Sequence, residues 1–268
     1  MPFFNSLNLM FCGFVVLLFL SFSSPVLAEK QNTPDNPTEF DYYLDSFSKS
    51  KRLLLELYSD NPNTFYCGCQ FDQAKNIDAS QCGYHFRKSN KRGQRLEWEH
   101  VVPAHRFGSA RQCWQEPASF SQCVKKNGKT VSRRKCCRTV DPDFKEMEAD
   151  MMNLVPAVGE LNADRSNFSF DMIEGEDRQY GQCDFEIDRK RKTVEPKQAI
   201  QGDIARIYYY FQNKYGMVLT ETEARNFQQW NEIDPIDEWE VEKLNRIKQM
   251  LVIAGKKRNS KPKFAGID

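Results

Sequence analysis

Apolar residues recur mostly three or four positions apart over 38–59, at Phe40, Leu44, Phe47, Leu53, Leu54, Leu57 and Tyr58. This spacing predicts an amphipathic helix, which Asn61-Pro62-Asn63 stops. Residues 95–102 read as a strand, with Pro103 marking its end. Pro142 opens a second helix, in which Phe144, Met147 and Met151 or Met152 share a face through Leu154. Residues 182–194 predict a strand or hairpin, and 199–215, 220–231 and 236–253 predict three more helices. The middle one starts with a Thr220 cap and Glu223 at its third position. Between these elements lie a Gly-, Asp- and Cys-rich loop over 67–83 and a polar, Cys-rich excursion over 108–142. Tyr208, Tyr209, Tyr210 and Phe211 read as core aromatics, with base stacking as the alternative.

The start of the chain breaks the pattern. Met1 to Ala28 carries no charge and contains the apolar run from Met10 to Leu20, with Val26 and Ala28 fitting a signal-peptidase site. Residues 1–28 are therefore read as a signal peptide, 29–255 as one domain, and 256–268 as a basic, flexible tail. An uncleaved anchor is the alternative, because no Lys or Arg precedes the apolar run. The polar, Pro-containing stretch 29–37 favours cleavage near Ala28, hence a periplasmic or secreted chain without stable membrane insertion.

Removing the leader takes Cys12, one of nine cysteines. The even set left, Cys67, Cys69, Cys82, Cys113, Cys123, Cys136, Cys137 and Cys183, reads as a disulfide framework in an exported chain. Cys67-x-Cys69 is too short for a zinc knuckle, and no matching pair follows it. The net charge of +1 does not announce a polyanionic partner. Local charge is less neutral: Arg87, Lys88, Lys91, Arg92 and Arg95 precede or open the 95–102 strand, and Lys125, Lys126, Lys129, Arg133, Arg134, Lys135 and Arg138 follow it. Basic clusters on both sides of a candidate catalytic strand favour phosphate binding over a merely solvated face.

The chemistry concentrates in Leu96-Glu97-Trp98-Glu99-His100-Val101-Val102-Pro103-Ala104 and in an amide-rich segment about sixty residues later, from Asn153 to Asn167. A neutral imidazole can take a proton from water. A carboxylate and an amide oxygen can hold one hard divalent ion while its other positions stay open to water and phosphate. That combination suits phosphodiester hydrolysis. Successive strand residues face opposite sides, so Glu99 and His100 can serve one site only near a strand end or an irregularity.

The segments Glu97-Trp98-Glu99-His100-Val101-Val102-Pro103-Ala104, Phe107-Gly108, Gln112-Cys113-Trp114-Gln115, Met147-Glu148-Ala149-Asp150, Asn153-Leu154-Val155-Pro156-Ala157 and Gly159-Glu160-Leu161-Asn162-Ala163-Asp164-Arg165-Ser166-Asn167-Phe168 resemble the endonuclease I family of periplasmic and secreted nonspecific nucleases, within the ββα-metal or His-metal finger superfamily. Phe65-Tyr66-Cys67-Gly68-Cys69, Cys82-Gly83-Tyr84, Tyr180-Gly181-Gln182-Cys183 and Asp237-Glu238-Trp239-Glu240 extend the resemblance over nearly the whole mature chain.

The resemblance implies an α+β fold: a mainly helical single domain, stapled by disulfides, around a ββα-metal finger core of strand or hairpin, long loop and helix. It implies His100 as general base, and Glu99 and Asn162 as protein ligands of one Mg²⁺, for which other divalent ions can substitute. Arg134 falls at the position of the arginine that contacts the scissile phosphate, with neighbouring Arg133 or Arg138 as the alternatives. Glu148 and Asn153 are candidates for orienting His100 or the metal waters, the alternative being helix capping and surface solvation. Arg165 and Asn167 either touch nucleic-acid backbone or brace their loop. The segment between Cys113 and Cys137 is longer than in the family and adds Cys123 and Cys136, while a family cysteine after the Asp237–Glu240 stretch is Val241 here. One nested arrangement pairs Cys113 with Cys137 and Cys123 with Cys136, leaving Cys67, Cys69, Cys82 and Cys183 to pair among themselves. It is one of the 105 connectivities open to eight cysteines.

The function implied is an exported, Mg²⁺-dependent, sequence-nonspecific endonuclease that cuts DNA and leaves 5′-phosphates, with RNA left open as a second substrate and oligomeric state left open, a monomer being favoured. The alternative is a catalytically inactive DNA-binding or uptake protein on the same scaffold. That alternative predicts damage to the Glu-His-Asn set, and Glu99, His100 and Asn162 are all present.

Overall fold

The computed structural model describes residues 42–88, 91–175, 177–257 and 264, all within the unit Pro37–Asp268. The leader, its cleavage point and residues 38–41 of the first expected helix lie outside the described residues. The chain runs β1 (Tyr42–Tyr43), α1 (Phe47–Leu57), β2 (Gln70–Phe71), β3 (Ile77–Asp78), β4 (Leu96–His100), α2 (Ala104–Gly108), α3 (Gln112–Gln115), α4 (Arg133–Val140), α5 (Pro142–Ala149), β5 (Leu154–Val158) and α6 (Gly159–Arg165). It continues through β6 (Ser169–Phe170), β7 (Phe185–Asp188), β8 (Thr193–Pro196), α7 (Gln201–Tyr215), α8 (Glu221–Ile233), α9 (Glu238–Ala254) and β9 (Lys256–Lys257). Mixed helix and strand content bears out the α+β expectation. Among the described residues, no helix is long and apolar enough to cross a membrane.

Several elements fall where the pattern placed them. The 182–194 segment is the β7–β8 hairpin, joined by β6 in parallel to β8. Thr220 and Glu223 form a reciprocal capping box at the start of α8. Tyr208, Tyr210 and Phe211 are buried, as core aromatics should be. The four disulfides are Cys67–Cys183, Cys69–Cys82, Cys113–Cys137 and Cys123–Cys136, which matches the nested arrangement.

Other expectations need correction. The first helix starts only at Phe47, because the Ser46 hydroxyl accepts from the Lys49 N–H and ends the extended run through Tyr42–Tyr43. The helix opened by Pro142 does not reach Leu154. It stops at Ala149, where buried Asp150 leaves helical geometry and instead accepts hydrogen bonds from Tyr210, Tyr215 and Lys214. A short 3₁₀ turn and the fully buried strand β5 follow, and Pro156 would bar a helix there in any case. The excursion over 108–142 contains α3 and α4, both too short to show periodicity. Lys256 and Lys257, read as the start of a flexible tail, pair antiparallel with Tyr43 and Tyr42.

The pairing that positions the site is β4 against β5, antiparallel, with Glu99 opposite Val155 and His100 opposite Leu154. α6 follows β5 directly, so strand, long connection, strand and helix form one local unit. Asn153 locks its open end. Its side chain accepts from the Val102 N–H at 2.7 Å and donates to the Val102 carbonyl at 2.9 Å, both buried. Asn153→Ala therefore strands a buried N–H and a buried C=O, at a cost of about 2–5 kcal/mol. The thermal midpoint should fall by roughly 10 °C, and a change of about one degree or less would show that the clamp is dispensable.

Candidate active site

Glu99 and His100 meet in one cleft of about 720 Å³, lined also by Phe47, Glu97, Arg134 and Asn162. They can do so because His100 is the last residue of β4, where strict alternation of faces ends. Both side chains are buried: Glu99 is 3 % exposed and His100 6 %.

The imidazole is held at both nitrogens. Nε2 lies 2.9 Å from the Glu148 carbonyl, which can only accept, so Nε2 carries the proton and Nδ1 keeps its lone pair. Arg134 Nη2 lies 3.4 Å from Nδ1. Burial first, and then the Arg134 charge, push the His100 pKa down to about 3, against the pull of the Glu148 carbonyl. The ring is neutral throughout the physiological range, as a base must be.

Glu99 sits in the opposite electrostatic state. Burial pushes its pKa up to about 7, although Arg165 and Tyr66 both work to lower it. Tyr66 donates to Oε1 at 3.3 Å and Arg165 to the same oxygen at 2.9 Å, leaving Oε2 without a hydrogen bond among the described residues. The carboxylate thus pairs with Arg165 through one oxygen and keeps the other spare. Asn162, at the middle of α6, donates its amide nitrogen to Glu97 Oε2 at 3.1 Å, which leaves its oxygen available as a donor atom. The spare Glu99 carboxylate oxygen and the Asn162 amide oxygen are two hard donors of the kind that suits a divalent ion such as Mg²⁺. Among the described residues, no group of three or more His, Cys, Asp or Glu side chains is arranged around a metal position, so such an ion would rest on this Glu–Asn pair with its other positions open.

Of the three candidate arginines of α4, Arg134 in its first turn lines the cleft; Arg133 is exposed, and Arg138 lies outside the cleft lining, paired with Glu148. Glu148 is 1 % exposed and takes Arg134 Nε at 2.6 Å together with Arg138. Burial works to raise its pKa, but Arg138 and Arg134 outweigh this and hold the carboxyl below its ordinary value. Glu148 therefore aims Arg134 with its side chain and His100 with its carbonyl. Surface solvation, the bland reading of Glu148 and Asn153, is excluded by their burial.

Arg165 has no exposed surface: it braces the site from below, donating also to the carbonyls of His100 and Val101 at 2.8 and 2.6 Å. Of its two expected roles, contact with nucleic acid is ruled out by this burial. Asn167 is exposed on the cleft wall. Three further residues were missed in the sequence. Phe47 packs its ring 5.0 Å from the His100 ring, with Lys51, Arg134 and Arg138 over it. Tyr66 holds Glu99. Glu97 shares the Glu99 face of β4, a period-two signal that was legible but not used.

The sequence model of the family described as Endonuclease I matches residues 28–256. A protein named Endonuclease-1 from Buchnera aphidicola subsp. Acyrthosiphon pisum (strain APS) is 41% identical over 203 residues, 75% of this chain and 75% of its own. Two proteins of Aeromonas hydrophila are similarly close. One, named extracellular deoxyribonuclease, is 42% identical over 206 residues, 75% of this chain and 84% of its own. The other, named periplasmic deoxyribonuclease, is 40% identical over 206 residues, 75% of this chain and 80% of its own. With a match that spans almost every described residue, including each side chain of the cleft, this chain belongs to the endonuclease I family.

Proposed function

We propose that this protein is an exported, sequence-nonspecific endonuclease that hydrolyses DNA phosphodiesters, and RNA as a second substrate, leaving 5′-phosphates. The observation that carries this reading is the pairing, in one cleft, of a neutral imidazole whose Nδ1 bears no proton with a buried carboxylate that keeps one oxygen unbonded among the described residues. The names of the relatives support a nuclease outside the cytoplasm. The leader near Ala28 and a monomeric state belong to the same proposal, as does reading β4, β5 and α6 as a ββα-metal core.

His100 Nδ1 accepts the proton of the attacking water, and its Nε2–H bond to the Glu148 carbonyl disperses the charge that forms. Glu99 and Asn162 would hold the Mg²⁺ ion. When bound, that ion supplies positive charge for the phosphate oxygens and the departing oxygen. Arg134 presents a planar fork that can take two phosphate oxygens. The inactive DNA-binding alternative requires a damaged Glu-His-Asn set, and all three residues line the cleft.

Two outcomes test this. In a plasmid-nicking assay with Mg²⁺, the mature protein should relax supercoiled DNA, a chelator should stop it, and His100→Ala should be slower by about 10²–10⁴. Equal cutting by His100→Ala would remove the imidazole from the mechanism. Glu99 must also lose its proton to bind metal. Because its carboxyl titrates near 7 in the metal-free protein, Mn²⁺ affinity measured by calorimetry should weaken as pH falls below about 7. The slope approaches about tenfold per pH unit for one proton, whereas affinity that is flat from pH 5.5 to 8 would contradict that assignment.

A further inference from the structure

Glu97 carries more cation than it needs. Arg92 donates to it through Nε at 3.0 Å and Nη2 at 2.6 Å, and Arg95 through Nε at 3.1 Å and Nη2 at 2.6 Å. One carboxylate thus holds two guanidiniums, a local surplus of positive charge, and neither arginine pairs with a second carboxylate among the described residues. Both remain open to a ligand, with side chains 44 % and 55 % exposed, whereas Glu97 is 18 % exposed. Each fork keeps an unused amino group.

The arrangement is built into the backbone. Gly159, the first residue of α6, leaves the room that the Glu97 carboxyl fills: a Cβ there would lie 2.7 Å from the Arg92 carbonyl oxygen and 3.0 Å from the Glu97 carboxyl. Glu97 also fixes Asn162, so the arginine pair is tied to the catalytic strand and to the metal-binding amide at once. Glu97 stands two residues before Glu99 on β4, about 7 Å along the strand, a step comparable to that between successive phosphates of a nucleic-acid strand. Arg92 and Arg95 line the cleft at this end, and Arg134 lines it beside His100.

We propose that Arg92 and Arg95, oriented by Glu97, form a second phosphate subsite, which binds the phosphate next to the scissile one. This rests on the nuclease reading above and deepens it: the cleft is matched to a polynucleotide with at least two linkages, not to a lone phosphodiester. Guanidiniums already held in position lose little freedom on taking a phosphate, which favours their use for binding.

The test uses the mature chain with Ca²⁺ at low ionic strength and three ligands: a dinucleotide with one linkage, a trinucleotide with two, and a trinucleotide with one linkage replaced by a neutral methylphosphonate. Calorimetry should show the wild type binding the two-phosphate ligand about tenfold tighter than the dinucleotide, and the methylphosphonate removing that gain. In Arg92→Gln/Arg95→Gln the gain should shrink to about twofold or less. Arg95→Gln alone, which keeps the Arg92–Glu97 pair and so guards against loss of fold, should lose part of it. Arg225→Gln, an exposed change on α8 away from the cleft, should keep it. A gain that survives in the double variant, or is absent from the wild type, overturns the subsite. Cutting of the trinucleotide with Mg²⁺ is read separately: its absence would count against hydrolysis, while the binding comparison still decides the subsite.

Discussion

The buried contact between Arg165 and Glu99 is the constraint on which the site depends. A guanidinium with no exposed surface joins Glu99 to the carbonyls of His100 and Val101, and its face lies 4.6 Å from the Phe170 ring. Desolvating two charges offsets most of their attraction, so such a pair adds little to stability by itself. What it adds is position. Three of its bonds fall on three consecutive residues, and they fix where β4 ends and how the chain leaves it.

Everything in the cleft inherits that position. With the main chain at His100 and Val101 held by Arg165, and Val102 held by Asn153, the imidazole is turned to the Glu148 carbonyl, and its tautomer follows. With Arg165 and Tyr66 both on Oε1, the carboxylate of Glu99 offers its other oxygen to the cleft. The same burial therefore moves the two neighbours in opposite directions: it pushes the His100 pKa down and the Glu99 pKa up, favouring the neutral form of each. Ser166, the next residue after Arg165, adopts φ 53, a conformation that costs a non-glycine residue on the order of 1–3 kcal/mol and persists where the surroundings determine it.

The legible part of this was local. Glu99, His100, Asn162 and Arg134 could be named from motif and resemblance, and the helices α7, α8 and α9 from periodicity and capping. What escaped was whatever depends on distant partners. Phe47 reaches His100 only because α1 packs on α5, and no spacing rule encodes that. The spacing of Phe144, Met147 and Met151 carries a helix through Leu154, the first residue of β5; the buried Asp150 network with Tyr210, Lys214 and Tyr215, separated from it by 60, 64 and 65 residues, overrides it. For Arg165 the sequence leaves backbone contact and loop bracing open, and only its burial decides for bracing.

The segment between Cys113 and Cys137 follows from the same physics. α4 reads Arg-Arg-Lys-Cys-Cys-Arg-Thr-Val, and only its two cysteines are buried. It begins with three cations at the helix end where the dipole disfavours positive charge, by about 0.3–1 kcal/mol each, and its arginines repel one another. Neither burial nor propensity would hold such a helix against the cleft. Cys136 and Cys137 do so covalently, bonding backward to Cys123 and Cys113, and the tighter loop alone limits the unfolded chain by about 3 kcal/mol. Glu148, below the same helix, pairs with both Arg134 and Arg138 from within. The staples are what allow a helix so poor in apolar residues, and so rich in charge of one sign, to keep an arginine aimed at His100.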